Sequence, residues 1–327
     1  MKAFITGANG FLGLNIIDAL LKDKWDITAM VRPTSNIKYL TEKNVKIVRG
    51  NLNDEASLLE IIPDEVDAIF HVAANVTMWK PRFQEQYRDN VIGTQNIVSA
   101  ALKRRAGRLI HTTSISAYGH LNGHVTEETK SDAAGYANFY FRTKYLAEQE
   151  VHKGIEKGLD AVILNPANII GTYDYHNWGR VFLMVENQAL PGISSGTLTH
   201  SHAGEVAKAH VSAFKKGRKG ENYLLGCVDI TLLELVQGIG KILGRKTPKK
   251  PLPNSLFRAV GYLYDFMGLI TRKEPEVTSH IAQLLTSRHT CSSEKAIKEL
   301  GYTQRTLEEM LQDNYVWLVK EGFLKKE

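Results

Sequence analysis

Cysteine is nearly absent from this chain: Cys227 and Cys291 are the only two in 327 residues. Two thiols cannot build a disulfide framework, so a small stapled secreted scaffold is excluded and a reducing cytoplasm is the expected setting. No apolar run reaches the roughly 18 residues that a membrane span needs. A strand-like run beginning at Lys2 leaves no room for a secretory signal peptide. Internal repeats and low-complexity tracts are also missing, which excludes solenoid and array architectures. The net charge is a modest +6, concentrated in Lys215-Lys216-Gly217-Arg218-Lys219 and in Arg245 to Lys250. Neither cluster has interleaved aromatic residues, so both read as solvated turns, and no nucleic-acid partner is expected.

The first thirteen residues are the most informative part of what is there. Met1 to Thr6 reads as a short buried strand that runs into Thr6-Gly7-Ala8-Asn9-Gly10-Phe11-Leu12-Gly13 and then into an amphipathic run from Leu12 to Leu21. Gly7 permits a tight turn, Gly10 lets a pyrophosphate approach the backbone, and Gly13 lets the following helix pack closely. The helix N-terminus supplies N–H donors and a partial positive charge for phosphates. A dinucleotide is the expected ligand.

Further apolar runs of strand length lie at Asp26 to Val31, Val45 to Val48, Ala68 to Val72, Arg108 to Thr112 and Ala161 to Leu164. Helical periodicity fills the intervals, over Asp54 to Ile61, Phe83 to Arg105 and Ala137 to Lys157. This alternation predicts an α/β fold, a Rossmann-type doubly wound parallel sheet. Burial on both sheet faces explains why the strand runs lack polar alternation. After about residue 170 the rhythm changes to short aromatic and glycine-containing segments, Tyr173 to Trp178 and Pro191 to Thr199. A strand at Asn222 to Leu225, a helix at Leu232 to Leu243 and a terminal helix at Leu307 to Lys320 follow. We expect a dinucleotide-binding domain over 1–170 and a substrate-binding lobe over 171–327 with segments packing back on the sheet. Ser255 to Ile270 is apolar, aromatic and bounded by basic residues, with Arg258 and Asp265 interrupting it. It reads as a lid or interface helix over a pocket, with peripheral membrane contact as the alternative.

Tyr140-Phe141-Arg142-Thr143-Lys144 puts a phenol and an ammonium on one helix face, one turn apart. The ammonium should lower the Tyr140 pKa toward values useful for proton transfer. Tyr39 and Lys43 match the same spacing after the second strand and read as a surface coincidence. Ser114, in Thr112-Thr113-Ser114-Ile115-Ser116, distinguishes Tyr140, because it falls at the carboxyl end of the fifth strand where ligands bind. A serine hydroxyl there can hold a carbonyl while the tyrosine donates its proton.

Taken together, Thr6-Gly7-x-x-Gly10-x-x-Gly13, the stretch DAIFHVAA from Asp67 to Ala74, Asn90-Val91-Ile92-Gly93-Thr94, Ser114 five residues before Gly119, Tyr140-x-x-x-Lys144 and Asn165-Pro166 resemble the extended short-chain dehydrogenase/reductase family. The resemblance covers nearly the whole chain. It implies Ser114, Tyr140 and Lys144 as the catalytic group, with Lys144 also holding the nicotinamide ribose. It implies a cofactor wall of Asn9, Phe11, Leu12, Asn51, Leu52, Ala73, Ala74, Pro166 and Asn168, with Asn90 supporting the site. Two departures stand out. Gly50-Asn51-Leu52 replaces the family's Gly-Asp-Leu at the adenine, and Ser201-His202-Ala203-Gly204-Glu205-Val206 replaces Val-His-Val-x-Asp-Val. His200 and His202 share a strand face without a third ligand, so no metal is expected.

The second strand ends in Met30-Val31-Arg32, where an NAD-preferring fold would carry an acid. Arg32 can meet a 2′-phosphate, so NADPH is the expected cofactor, with NAD as the alternative. Ile115 and Ser116 stand where dehydratases of the family carry Asp-Glu, which disfavours water elimination. Met78, Trp79, Tyr118, Tyr175 and Trp178 are expected to line an apolar substrate pocket. The stretch from Leu164 to Gly171 resembles the dihydroflavonol-reductase and hydroxysteroid-dehydrogenase-like branch. The expected reaction is reduction of a ketone or aldehyde on an apolar small molecule. Nucleotide-sugar epimerisation and a non-catalytic dinucleotide sensor are the alternatives. The resemblance further implies a homodimer built on helices Phe83 to Arg105 and Ala137 to Lys157.

Overall fold

The computed structural model describes residues 1–190 and 192–325. Pro191, the first residue of one expected glycine-containing segment, lies outside the described residues. Among the described residues twelve strands form two sheets: β1 Lys2–Thr6, β2 Asp26–Val31, β3 Lys46–Arg49, β4 Ala68–His71, β5 Arg108–Thr112, β6 Asn122–Val125, β7 Ala161–Pro166, β8 Asn168–Ile170, β9 Thr197–His202, β10 Asn222–Leu225, β11 Val228–Thr231 and β12 Arg288–Cys291. The first sheet is parallel throughout and ordered β10-β7-β5-β4-β1-β2-β3.

Alternate residues of these strands feed two separate cores. Ala3, Ile5, Ile27 and Ala29 join the core under helices Phe11–Lys22 and Ala203–Lys216. Phe4, Met30, Ile69 and Leu109 join the core that includes Ile97, Val98 and Val151, from helices Gly93–Lys103 and Phe139–Glu156. Each fully buried side chain of this size contributes roughly 1.5–3 kcal/mol, and burial on both faces is what makes the strand runs continuously apolar.

The order of the sheet places a functional crevice. The chain leaves β1 for β2 on one side and later returns to β4 on the other, so the turns after β1 and β4 diverge and leave a cleft at their carboxyl ends.

The second sheet runs β11-β9-β12-β6, with β8 pairing β9. Sheet membership crosses position 170 in both directions. β10 completes the edge of the first sheet, and β6, from the first half of the chain, pairs with β12 alone among the described residues. The expected continuous helix from Phe83 to Arg105 is also subdivided: α-helical turns over Phe83–Tyr87 and Gly93–Lys103 flank a π-helical turn at Arg88–Ile92. A wide turn of this kind re-aims a side chain, and here it carries Asn90.

Candidate active site

A cleft of about 800 Å³ runs along the carboxyl ends of the first sheet. At one end it is lined by Gly7, Asn9, Gly10, Phe11, Leu12 and Gly13 after β1, Arg32 after β2, Asn51 and Leu52 after β3, Ala73 and Ala74 after β4, and Pro166 and Asn168 around the end of β7. Gly7 has φ +68°, a left-handed conformation that favours glycine. A Cβ on Gly13 would stand 2.1 Å from the Gly7 carbonyl oxygen, so the helix can begin this close to the strand only without one. Helix Phe11–Lys22 starts at Gly10, with no side chain hydrogen-bonded to its N-cap and no acid in its first turn. Its leading N–H groups and dipole are therefore free for an anion, and the cradle fits the pyrophosphate of a dinucleotide. Arg49 reaches across to the carbonyls of Arg32 and Pro33 and holds the loop that presents Arg32.

Behind this surface a buried polar chain sets the turn after β4. The Thr6 hydroxyl accepts from the Val72 and Ala73 N–H groups at 3.2 Å each and meets His71 Nδ1 at 2.8 Å. His71 Nε2 meets Thr94, whose hydroxyl donates to the Asn90 carbonyl. Burial, reinforced by the Lys144 charge, holds His71 down to about 3, so its ring is neutral. Asn90 does not line the cleft. It pins the cleft wall from behind: Oδ1 accepts from Asn75 N at 2.7 Å, and Nδ2 donates to Asn75 O at 2.9 Å and to Thr143 Oγ1 at 3.2 Å. Asn90→Leu is expected to leave these buried groups unpaired and lower stability by about 1–3 kcal/mol, read as a fall in Tm, with weaker dinucleotide binding.

Ser114, Tyr140 and Lys144 converge in the same cleft. Ser114 leaves β5 as the cap of a short 3₁₀ turn, Ile115–Tyr118, and its Oγ accepts from Ser116 N at 3.1 Å. Tyr140 and Lys144 lie one turn apart near the start of helix Phe139–Glu156, which Asn138 caps by accepting from Tyr140 N at 3.0 Å. Lys144 Nζ donates to the Thr112 carbonyl at 3.3 Å. Burial pulls its pKa down to about 8, opposed by the Glu148 carboxylate. Tyr140 departs from the expected direction. Burial raises its phenol above the ordinary value, the Ser114 hydroxyl draws it partly back, and Lys144 is not among the groups that act on it. The ammonium is turned toward the Thr112 carbonyl, which is why the spacing alone misjudged the electrostatics.

The arrangement as a whole pairs a dinucleotide cradle with a hydroxyl, a phenol and an ammonium. Residues 3–226 match the model of the NAD dependent epimerase/dehydratase family. The chain belongs to that family. It is an extended short-chain dehydrogenase/reductase, an NAD(P)-dependent enzyme. A Synechocystis protein carrying the provisional name dihydroflavonol 4-reductase is 28% identical, over 98% of this chain and 96% of its own. The 2-alkyl-3-oxoalkanoate reductase of Stenotrophomonas maltophilia is also 28% identical, over 95% and 97%. The crystal structure of gox2253 superposes with a TM-score of 0.86 at 31% identity, covering 99% of each chain.

In this epimerase/dehydratase-family enzyme the substrate end of the cleft differs from the sequence-based expectation. Met78 and Trp178 line it. Trp79 is buried away from the cleft, ahead of the 3₁₀ turn Lys80–Arg82. Tyr118 is packed into a cluster with Ile115, Val125 and Leu224, and Tyr175 stacks on Phe323 beside Trp317. Aromatic character alone does not separate a pocket wall from a core. Tyr39 and Lys43 are not a surface coincidence either: Tyr39 packs on Tyr173 and Trp317, and Lys43 pairs with Asp18 and donates to Tyr173. His200 is buried against Trp178, whereas His202 caps helix Ala203–Lys216 and pairs with Asp313. No group of three or more His, Cys, Asp or Glu is placed to hold a metal among the described residues. The cleft also takes in Thr77, Arg82, Asn177, Glu274, Leu284 and His289, which the sequence reading missed. Arg82 Nη1 donates to Glu274 at 3.1 Å and Thr77 Oγ1 donates to Glu274 at 2.5 Å, across nearly two hundred residues of chain, and no local pattern announces such a contact.

Proposed function

We propose that this enzyme reduces the carbonyl group of an apolar small molecule, with NADPH as the preferred cofactor. The observation that carries the reading is the state of the charges at the substrate end. Arg82 is the cation there, and it is already paired with Glu85 at 2.6 Å and Glu274 at 3.1 Å. His289 is held neutral by burial, its pKa down to about 4. A nucleotide-sugar diphosphate would have to compete with Glu85 and Glu274 for Arg82, whereas a neutral carbonyl compound meets Met78, Trp178 and Leu284. Ile115 and Ser116 occupy the positions where dehydration needs an acid and a base.

The dinucleotide supplies the hydride. Tyr140, a phenol that carries its proton at neutral pH, gives it to the carbonyl oxygen. Ser114 receives the Ser116 N–H on its oxygen, which leaves its own O–H to donate to the same carbonyl and orient it. Lys144, with a pKa of about 8, is mostly charged at neutral pH. It would hold the ribose hydroxyls of the bound dinucleotide, while the Ser114 hydroxyl is the group that favours the phenolate that remains.

The test is consumption of NADPH and NADH against aromatic aldehydes, β-keto esters and ketosteroids, with UDP- and GDP-hexoses in coupled assays. Interconversion of a nucleotide sugar without net cofactor consumption would replace this reading by epimerisation. Arg32→Ala is expected to weaken NADPH binding about ten- to a hundredfold, the loss of one charge-assisted contact to the 2′-phosphate, and to leave NADH unchanged. Equal Kd values for the two cofactors in the wild type would remove the NADPH preference. A homodimer through the helical segments Phe83 to Arg105 and Ala137 to Lys157 belongs to the same proposal, and a monomer by light scattering would reject it.

A further inference from the structure

We infer that helix Asn254–Thr271 is a membrane-docking element that lies flat on an anionic phospholipid surface beside the mouth of the cleft. Seven of the thirteen large exposed hydrophobic side chains among the described residues belong to this one helix. Leu256, Tyr262, Leu263, Phe266, Leu269 and Ile270 are between 51% and 68% exposed. At 100° per residue they fall on one continuous outward face of somewhat less than half the circumference, and no charged residue interrupts it.

The two charges of the helix lie beside that face and are tied to the protein by hydrogen bonds, Arg258 remaining exposed and Asp265 half-buried. Arg258 Nε donates to Thr286 Oγ1 at 2.7 Å, and the Asp265 carboxylate accepts from Ser279 N at 3.1 Å. The face against the protein is narrow and made of Phe257, Gly261 and Gly268. A Cβ on Gly261 would meet the Ala282 Cβ at 2.8 Å, so the helix is seated tightly on helix Ser279–Leu285. The usual amphipathic pattern is reversed, with the broad apolar face outward. That face is not needed to hold the helix in place.

The flanks identify the occupant. Lys246, Lys249 and Lys250 precede the helix, Arg272 and Lys273 follow it, and all five are exposed. The acid closest to the following pair, Glu274, is engaged by Arg82 and Thr77. A helix of this length, about 27 Å, with cations at both ends and apolar side chains between them, matches a headgroup layer over acyl chains. A second copy of the chain fits poorly. Pairing this face with itself, in either direction, sets one basic flank against another.

The location gives the docking a use, and this part rests on the carbonyl-reductase reading. Glu274, three residues beyond the helix, and Leu284, on the helix beneath it, both line the cleft. Docking would set the cleft mouth at headgroup depth, where a lipophilic carbonyl compound can enter without crossing water.

The experiment is co-sedimentation of the full chain, loaded with NADPH, with vesicles of phosphatidylcholine alone or mixed with phosphatidylglycerol. Partitioning should be at least about tenfold stronger on the anionic vesicles and should weaken with salt. The double variant Phe266→Asp, Ile270→Asp should lose about tenfold or more with an unchanged Tm, since both side chains are already exposed. Absence of binding to anionic vesicles overturns the proposal, as does binding that the double variant leaves unchanged. A wild-type dimer that the same variant splits, with no vesicle binding, would assign the face to a second copy. Vesicle binding is read without turnover, so its failure and the failure of carbonyl reduction are separate results.

Discussion

Tyr140→Phe is expected to lower kcat about 10²- to 10⁴-fold while dinucleotide affinity and Tm stay close to wild type. The phenyl ring keeps its contacts beside Phe141, and the change removes only the hydroxyl that faces Ser114. Steady-state kinetics on the first substrate found, with cofactor binding measured separately, checks this. Wild-type turnover in the variant would remove Tyr140 as the acid. Ser114→Ala should cost less, because it removes an orienting donor rather than the proton itself. The double variant should be hardly slower than Tyr140→Phe, since the two groups act on one oxygen. In the wild type, dinucleotide affinity should weaken as pH rises through about 8, where Lys144 loses its proton.

Lys144→Met should abolish efficient turnover and at the same time stabilise the cofactor-free protein. Lys144 is 5% exposed, and its pKa falls from an ordinary 10.5 to about 8. The sign follows directly. Below about pH 8 both folded and unfolded chains carry the proton, and the folded state bears the full penalty of a buried ammonium. Between pH 8 and the ordinary lysine value the folded state has already released it, and the penalty fades as pH rises. Met fills a similar volume without the charge, so the gain at neutral pH should be on the order of 1–3 kcal/mol and should shrink at alkaline pH. Thermal melts of both proteins at neutral and alkaline pH check this. A Tm for Lys144→Met below wild type at neutral pH would show that the Thr112 contact and the Glu148 field outweigh desolvation.

The parts legible in the sequence were those fixed by local backbone chemistry. Gly7 and Gly13 announce the turn because no other residue fits there, and the strand runs inside the sheet are visible because burial on both faces leaves them apolar, which the edge strand β3 does not share. The convergence of Ser114, Tyr140 and Lys144 in one cleft follows from placing each on a known element end. The substrate wall was legible only in part. Trp79, Tyr118 and Tyr175 have the composition of pocket residues but lie in cores, whereas Arg82, Glu274 and His289 reach the cleft through contacts that span much of the chain. The raised Tyr140 pKa was also beyond the sequence, because it comes from the burial of the phenol, which the spacing of Tyr140 and Lys144 does not report.

The exchange of strands across position 170 bears on how the protein is made. When a nascent chain has emerged only as far as Ile170, β7 is an open edge of Val162, Ile163 and Leu164 whose neighbour β10 has not been synthesised. β6 then has no pairing partner among the described residues until β12 follows, more than a hundred and sixty residues after it. An exposed apolar edge of this kind is a template for aggregation. The first half of the chain therefore emerges as an unfinished sheet, and its β7 edge stays open until β10 is made.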